Sequence, residues 1–232
     1  MTTTTQSCMK ISKDTSEILK NFSSINSNIL VKPGNVIRTI SPVRNIMAEA
    51  TVSETFDTQF GIWDLNKFLG TVSLFSNPEF DFEETKVTIT GNNGASVVYY
   101  YAEPKLLTTA DKKIQMPDGV VDFTLKNSDL VELQKASSVL QVPDLALRST
   151  DNGEIELVAL DKKEPSSNSY SITVGDNTND ADFTFYFKVE NLKILPGDYT
   201  VSVTDKVVSE FEHTTRDLKY WIALESDSKY NG

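Results

Sequence analysis

Residues suited to covalent and redox chemistry are scarce in this chain of 232 residues, which has one cysteine, Cys8, and one histidine, His213. A single cysteine excludes an intrachain disulfide and a thiolate metal cluster. Cys8 lies in a polar, Thr-rich start and His213 in the acidic run SEFEHTTRD, so the chain offers no Cys–His pair and no Ser–His–Asp set. We therefore predict no metal site and no catalytic triad, and we interpret His213 as a surface strand residue.

Long apolar runs and nucleotide-binding motifs are also missing. No stretch approaches the roughly 18 apolar residues that a membrane span needs, and the start MTTTTQSCMK lacks the apolar centre of a secretory signal. These absences predict a cytoplasmic protein with no membrane partner. Neither a GxxxxGKS/T run nor a G-x-G-x-x-G run occurs. We therefore expect a protein that is not an enzyme, needs no cofactor and does not hydrolyse ATP.

The charge balance is strongly acidic, with 22 basic and 33 acidic residues and a net charge of −11 at pH 7. Taken alone, this argues against a protein that coats nucleic acid with positive charge, although net charge does not fix how charge is distributed. The acidic residues crowd predicted turns at 79–85, 151–156, 175–182 and 223–228. Carboxylate pairs in those turns, such as Glu83 with Glu84 or Asp180 with Asp182, are candidates for glycosidic or metal chemistry, and solvation in a turn is the simpler explanation.

Two segments of the chain repeat a strand that runs into a short helix. Seven positions align at one offset, 183 − 56 = 127: Phe56, Thr58, Phe60, Ile62, Leu65, Phe68 and Gly70 with Phe183, Phe185, Phe187, Val189, Leu192, Leu195 and Gly197. The offset is slightly more than half the chain and predicts an internal duplication. In each copy the spacing changes from alternation to i, i+3 at Asp64 or Asn191, residues that suit a helix N-cap.

The periodicity predicts four helices, one long and one short in each half. The first long helix spans about 13–25, and the second is capped by Asn127 or Ser128 and stopped by Pro143. The two long helices also align, at 133 − 19 = 114. Lysines lie opposite the apolar sides or at a helix start: Lys13 and Lys20, Lys67, Lys126 and Lys135, and Lys193.

Short alternating strands separated by turn residues lie between the helices, so the predicted fold class is α+β. The predicted strands are 28–33, 35–40, 46–53, 56–63, 86–91 and 96–102 in the first half, and 120–125, 144–150, 154–161, 169–174, 182–189, 198–204, 207–213 and 217–224 in the second. The segment 103–119 has no clear period. We predict a flexible tail at 1–8, a domain at 9–102, a connector at 103–119 and a similar domain at 120–232.

Several stretches resemble the DNA polymerase sliding clamps of T-even type bacteriophages, in that family's order and spacing. They are Met9-Lys10-Ile11-Ser12-Lys13-Asp14-Thr15, Leu19-Lys20-Asn21-Phe22, Asp64-Leu65-Asn66 with Phe68-Leu69-Gly70, Pro196-Gly197-Asp198-Tyr199 and Ala223-Leu224-Glu225. The resemblance implies a homotrimeric ring of two-domain subunits, with sheets outside and two helices from each domain lining a hole for duplex DNA. It also implies a tether for the replicative DNA polymerase in the infected bacterial cell, opening by a separate ATP-dependent clamp loader, and a role in late transcription.

A ring of this kind needs a diffuse positive lining that meets phosphates at no fixed register. The candidates are the six helix lysines. The resemblance supports Lys13, Lys20 and Lys193 and, with arginine as its counterpart, Lys135. Lys67 rests on helix geometry alone, and Lys126 on its place at a helix start. Ser138 occupies a position where relatives can carry a basic residue, which makes this lining less positive.

The final predicted strand, Lys219 to Leu224, resembles the terminal strand of the eukaryotic clamp, where a Lys-Tyr-Tyr-Leu-Ala-Pro run helps to form a groove for partner peptides. The candidate groove residues are Ile46, Leu107, Ile114, Trp221, Ala223 and Leu224. The alternative for Trp221 is an ordinary core residue. The alternative for the whole chain is a structural or protein-interaction module with no DNA dependence, and an enzyme with paired carboxylates is the third hypothesis.

Overall fold

The computed structural model describes residues 8–110, 114–206 and 208–232. The chain divides into two compact units, Met1–Lys113 and Ile114–Gly232. The division falls inside the predicted connector 103–119. Seven residues of the predicted tail, 1–7, lie outside the described residues, and Cys8 is exposed.

The first unit combines two helices with short antiparallel sheets. Its elements are α1 (Lys13–Ile25), β1 (Ile29–Val31), β2 (Gly34–Ile40), β3 (Ile46–Phe56), β4 (Phe60–Ile62), α2 (Leu65–Val72), β5 (Glu79–Phe82), β6 (Lys86–Thr90) and β7 (Ser96–Tyr100), followed by a 3₁₀ turn at Pro104–Leu106. β1 pairs with β4 and β2 with β3, while β5, β6 and β7 form a three-stranded sheet in that order. Helix α1 packs on β3 and α2 and buries Ile18, Phe22 and Ile25, because its apolar residues recur at helical spacing.

The second unit has one α-helix among its described residues. Its elements are β8 (Val121–Leu125), α3 (Asn127–Leu140), β9 (Asp144–Ser149), β10 (Glu154–Leu160), β11 (Tyr170–Asp176), β12 (Asp182–Lys188), a 3₁₀ turn at Val189–Asn191, β13 (Tyr199–Val203), β14 (Val208–His213), β15 (Leu218–Ala223) and β16 (Lys229–Asn231). One sheet has the order β11-β10-β9-β12-β16, and the antiparallel strands β8, β13, β14 and β15 follow one another in a second. Helix α3 packs on β10 and β11. No helix of the described residues is long and apolar enough to cross a bilayer.

The two long helices lie where the sequence predicts. Helix α1 starts at Lys13 after the N-cap Ser12, whose hydroxyl accepts a hydrogen bond from the Thr15 N–H. Helix α3 starts at Asn127, so the offset of 114 holds at the helix starts, 127 − 13 = 114. The predicted caps of α3 are wrong, since Lys126 occupies the N-cap without a side-chain hydrogen bond and Asn127 is the first helical residue.

The prediction of a fourth helix is wrong, so the duplicated segment of the two halves does not extend to this helix. Where α2 would recur, a 3₁₀ turn, Val189–Asn191, is followed by a loop that ends at Pro196 and Gly197. In a helix through this segment, Pro196 would lack the N–H that bonds the Leu192 carbonyl, and it would disfavour the helical conformation of the residue before it. Lys193 therefore lies in a loop.

Two strands, β5 and β16, are also missing from the prediction. Acidic composition indicated a turn at 79–85, which contains β5, whereas β16 at Lys229–Asn231 lies beyond the last predicted strand. His213 is not a surface residue, since it is 6% exposed. The inward positions of β14 alternate, Ser209, Phe211 and His213, so Glu210 and Glu212 point to the other face. The His213 ring stacks edge-on against Tyr199, with ring centres 5.0 Å apart.

A buried carboxylate fixes the start of α1. Glu54 on β3 is 8% exposed, and its side chain accepts hydrogen bonds from the Ser12 N–H and the Thr15 hydroxyl. Burial raises the pKa of the Glu54 carboxyl, but the hydrogen bonds from Thr15 and Ser12 outweigh burial, so the pKa lies below its usual 4.5. The negative charge also meets the positive end of the helix dipole. Glu54 therefore ties the first turn of α1 to the sheet.

We predict that Glu54→Gln lowers the free energy of unfolding at neutral pH by about 1 to 3 kcal/mol, the range for charged hydrogen bonds. Because the folded-state pKa is depressed, this stability is complete above the usual value of 4.5 and is lost as the pH falls through the folded-state pKa. Urea unfolding over a pH series measures it, and the two proteins should converge in acid. The control is Glu17→Gln on the same helix, which removes the carboxylate of a solvent-exposed pair with Lys13 at 3.9 Å and should cost less than about 0.5 kcal/mol. A constant difference between Glu54→Gln and wild type down to acid pH would contradict the assignment.

Candidate nucleic-acid interface

Helix α1 presents two lysines on the side opposite its core. Ile18, Leu19 and Phe22 are buried, and Lys13 and Lys20 are exposed. The two lysines are seven residues apart, or about 10 Å along the helix axis at ~1.5 Å per residue. They therefore point the same way, two turns apart.

Helix α2, which packs on α1, carries a third exposed lysine, Lys67. The Ser23 hydroxyl on α1 donates to the Asn66 side-chain oxygen at 2.9 Å. The Asp64 carboxylate caps α2 by accepting from the Lys67 N–H at 2.9 Å, as its sequence position predicts. Lys67 is exposed, one residue from the contact between the helices. The structure thus brings Lys20 and Lys67 onto neighbouring helices of the first unit.

In the second unit a loop takes the place of the second helix and is held against α3. The Gln134 side chain donates to the Leu192 carbonyl at 3.2 Å, and the Asn127 side-chain oxygen accepts from the Gly197 N–H at 3.0 Å. These two hydrogen bonds connect the loop to the start and the middle of α3. Lys193 is exposed on this loop, next to the Gln134 contact.

Lys126 and Lys135 belong to α3 itself. Lys126 is the exposed N-cap, and Lys135 is exposed on the side of the helix away from the buried Leu133 and Ser137. The structure therefore places both where the sequence predicts. Asn127 and Gln134, which hold the loop, were not predicted as contributors, although their amide side chains at the start and middle of a helix are a usable signal.

The helix lysines differ from most other basic residues in their neighbours. Elsewhere, cations face carboxylates, as in Arg38–Glu49, Arg148–Glu156, Lys162–Asp227, Lys188–Asp144 and Lys219–Glu212. Among the described residues, Lys20, Lys67, Lys126 and Lys135 form no ion pair, and Lys13 has only the 3.9 Å contact with Glu17 at 93% side-chain exposure. The helix faces therefore carry exposed lysines with little or no carboxylate compensation, in a chain whose net charge is −11.

The six candidate groove residues do not form an open surface within their units. Ile46, Leu107, Trp221 and Leu224 are all at most 8% exposed, while Ile114 and Ala223 are half-buried. The Trp221 indole N–H donates to the Glu210 carboxylate at 2.8 Å. A Cβ on Gly61 would lie 2.7 Å from Leu107, so Leu107 packs tightly on the backbone of β4.

Two family models match the chain, one in each half. A model described as "DNA polymerase processivity factor" matches residues 12–116, and one described as "gp45 sliding clamp, C terminal" matches residues 122–226. The chain is 36% identical to the sliding clamp of Vibrio phage KVP40, over 94% of this chain and 100% of that protein. It is 36% identical to the sliding clamp of Escherichia phage RB69 and 32% identical to that of Enterobacteria phage T4, in each case over 96% of this chain and 100% of the relative.

The chain belongs to the sliding clamp family of DNA polymerase processivity factors. Solved structures share the clamp fold at low sequence identity. Proliferating Cellular Nuclear Antigen from Entamoeba histolytica is 13% identical, with a TM-score of 0.65 over 90% of this chain and 94% of that one. The PCNA of A. fulgidus, solved with the C-terminal region of FEN-1, is also 13% identical, with a TM-score of 0.68 over 92% of this chain and 96% of that one.

The predicted family and fold class are therefore confirmed, including the mixture of helices and sheets in two clamp units. The number of helices is the exception, because the described residues of this clamp contain three α-helices. No group of three or more His, Cys, Asp or Glu side chains that could hold a metal ion occurs among the described residues.

Proposed function

We propose that this clamp closes as a ring around duplex DNA and holds the replicative DNA polymerase on its template. The observation that carries the proposal is the set of exposed lysines on the helix faces, of which Lys20, Lys67, Lys126 and Lys135 form no ion pair among the described residues, in a chain with a net charge of −11. The family resemblance supports the ring, and the charge distribution supports the helix faces as the surface that meets DNA.

A sliding contact needs attraction to phosphates without a fixed register. Single lysines meet this requirement, because an ammonium group is a hydrated point charge on a flexible stem, whereas arginine forms a rigid bidentate fork. Phosphate contacts also carry no sequence information. Lys13, Lys20, Lys126, Lys135 and Lys193 are the proposed lining, with Lys67 beside them. The acidic surface elsewhere repels DNA and leaves the lysine-bearing face as the favourable contact.

Ring closure requires a head-to-tail contact between two different surfaces of the same chain. Strand β7 is one edge of the three-stranded sheet in the first unit, and β11 is one edge of the five-stranded sheet in the second. The opposite edge of the first sheet is partly covered, since Met9 bridges to Phe80 on β5. The opposite edge of the second sheet is the short β16. We propose that β7 of one copy pairs with β11 of the next in a trimer, with domains at 9–102 and 120–232 joined by the connector 103–119.

The proposed partners are duplex DNA, the DNA polymerase and an ATP-dependent clamp loader, in the cytoplasm of the infected bacterial host. The clamp has no catalytic role in this proposal, and energy for opening comes from the loader because the chain lacks a nucleotide-binding motif. The polymerase contact is proposed for the end of β15, where Ala223 is half-buried beside Trp221 and Leu224. The role in late transcription stays a prediction.

The first prediction is a trimer in solution. Light scattering across a concentration series should give three times the subunit mass of 25.8 kDa at high concentration, with dissociation on dilution. A monomer at every concentration would remove the ring and leave a protein-binding module.

The second prediction tests the lining. Replacing Lys20, Lys135 and Lys193 together by glutamate should leave the trimer intact and shorten the products of processive synthesis by about tenfold or more, because several phosphate contacts are lost at once. The matched control replaces Lys10, Lys105 and Lys163, which are exposed outside the helix faces, by glutamate. Equal processivity in the two triple variants would contradict the lining.

The third prediction tests the polymerase site. Ala223→Arg adds a long charged side chain at a half-buried position, so polymerase binding should weaken by about tenfold or more, which corresponds to about 1.4 kcal/mol. Thr200→Arg, on an exposed position of β13, is the control. Trp221→Ala should also weaken binding, but Ala223→Arg is the cleaner test because Trp221 is buried. Unchanged binding of a polymerase C-terminal peptide by Ala223→Arg, measured by calorimetry, would show that the site lies elsewhere.

A further inference from the structure

The chain that follows β15 is held by a lysine from another part of the second unit. Lys162 lies in the loop after β10, and only 11% of its side chain is exposed. Its ammonium group donates to the Asp227 carboxylate at 2.7 Å and lies 3.5 Å from the Glu225 carboxylate. Both carboxylates belong to residues 225–228, which we call the 225–228 turn. One cation therefore connects this turn to the five-stranded sheet.

Lys162 is itself held in place by the sheet. Its backbone N–H donates to the carboxylate of Asp144, which is 1% exposed at the start of β9, at 3.1 Å. Its ammonium group lies 4.9 Å from the ring centre of Tyr186 on β12. Burial lowers the pKa of the Lys162 ammonium, but the hydrogen bond to Asp227 and the nearby carboxylate charges outweigh burial, so the pKa lies above its usual 10.5. Lys162 is therefore a charged group in a fixed position at neutral pH.

Two hydrogen bonds place the 225–228 turn on β12. The Glu225 N–H donates to the Tyr186 carbonyl at 2.8 Å, and the Tyr186 N–H donates to the Ser228 hydroxyl at 2.9 Å. Beyond the turn, β16 pairs with β12 over three residues. An edge strand of that length adds few backbone hydrogen bonds. The position of the turn therefore depends strongly on the side-chain contacts of Lys162.

The charges around Lys162 make this dependence sharper. Asp144 also pairs with Lys188, so Lys162 and Lys188 face the three carboxylates of Asp144, Glu225 and Asp227. Without Lys162, one cation would remain for three carboxylates. The carboxylates of the turn would then be repelled by the buried Asp144, and like charges repel more strongly where water is partly excluded. Loss of Lys162 therefore favours a detached turn.

We propose that Lys162 is a positioning residue for the polymerase contact, because it fixes the 225–228 turn where the turn leaves Ala223 accessible. This role rests on the polymerase site proposed above at the end of β15. The turn begins two residues after Ala223, and the buried Leu224 lies between them. A detached turn would be free to fold over Ala223 and would have to be ordered again when the polymerase binds. A segment that is already ordered avoids that loss of affinity.

The first variant removes the cation. Lys162→Met should weaken binding of the polymerase C-terminal peptide by about fivefold or more, measured by calorimetry, because the site loses its preorganisation. Amide hydrogen exchange of residues 225–231 should become faster in the same protein. Lys163→Met changes the exposed neighbouring residue and is the matched control, which should alter neither measurement. Circular dichroism verifies that both variants are folded at the temperature used.

The second variant removes the partner of Lys162 without disturbing a buried group. The Asp227 side chain is 55% exposed, so Asp227→Ala should leave urea unfolding close to that of the wild type. It should still weaken peptide binding, by about threefold or more, and speed exchange in residues 225–231. Asp151→Ala, at an exposed turn position of the same unit, makes the same change in net charge and is the control.

A purely structural role for Lys162 predicts a different result. It would speed exchange in the turn or lower stability, but it would leave the peptide affinity of the folded protein unchanged, and that result would overturn the proposal. Weaker binding at unchanged exchange would overturn it as well. Unchanged affinity in Ala223→Arg would refute the polymerase site itself. Weak binding by Ala223→Arg beside normal binding by Lys162→Met would refute only the positioning role.

Discussion

Burial of one face of each helix against the sheet of its own unit is the constraint on which the rest of this clamp depends. In α1 the residues Ile18, Phe22 and Ile25 are withdrawn from water, and each such side chain contributes about 1.5 to 3 kcal/mol relative to an exposed one. The opposite face is thereby turned to solvent with Lys13 and Lys20 on it. Glu54 sets the start of the same helix. The position of the lysines is therefore a consequence of core packing.

The same constraint explains how an acidic protein presents exposed lysines on its helices. A helix face that packs on nothing needs no apolar residues, and its lysines are not drawn into the ion pairs that occupy the sheets. Arg148 on β9, for example, is paired with Glu156 on β10, because cross-strand neighbours lie side by side. The excess of acidic residues that gives the net charge of −11 thus lies mainly in strands, turns and tips.

Sequence patterns predicted the elements that have a clear period and an end signal. Helix α1, with Ser12 as its cap, is an example of both. The prediction failed where the spacing of apolar residues indicated a helix but a proline prevented one. Leu192 and Leu195 repeat the spacing of α2, but Pro196 removes a helical hydrogen bond and leaves a loop.

Composition misled the prediction elsewhere as well. Acidic residues hid β5, where only Phe80 is fully buried, and they made His213 look exposed although it follows the inward alternation of its strand. The burial of most candidate groove residues could not be predicted, for a further reason. A terminal strand with apolar residues has the same pattern whether it borders a groove or a core, and only the burial of Trp221 distinguishes the two.

The length of the free strand edge bears on how such a ring can both hold and open. Strand β7 has five residues, and in an antiparallel pair only about half of the backbone groups point to a given neighbour, so few hydrogen bonds join two copies through it. Each contributes only about 0.5 to 1.5 kcal/mol net. In the proposed ring, closure would therefore depend on side chains beside the strands as well as on these hydrogen bonds. Such a contact would separate along one line without unfolding either unit.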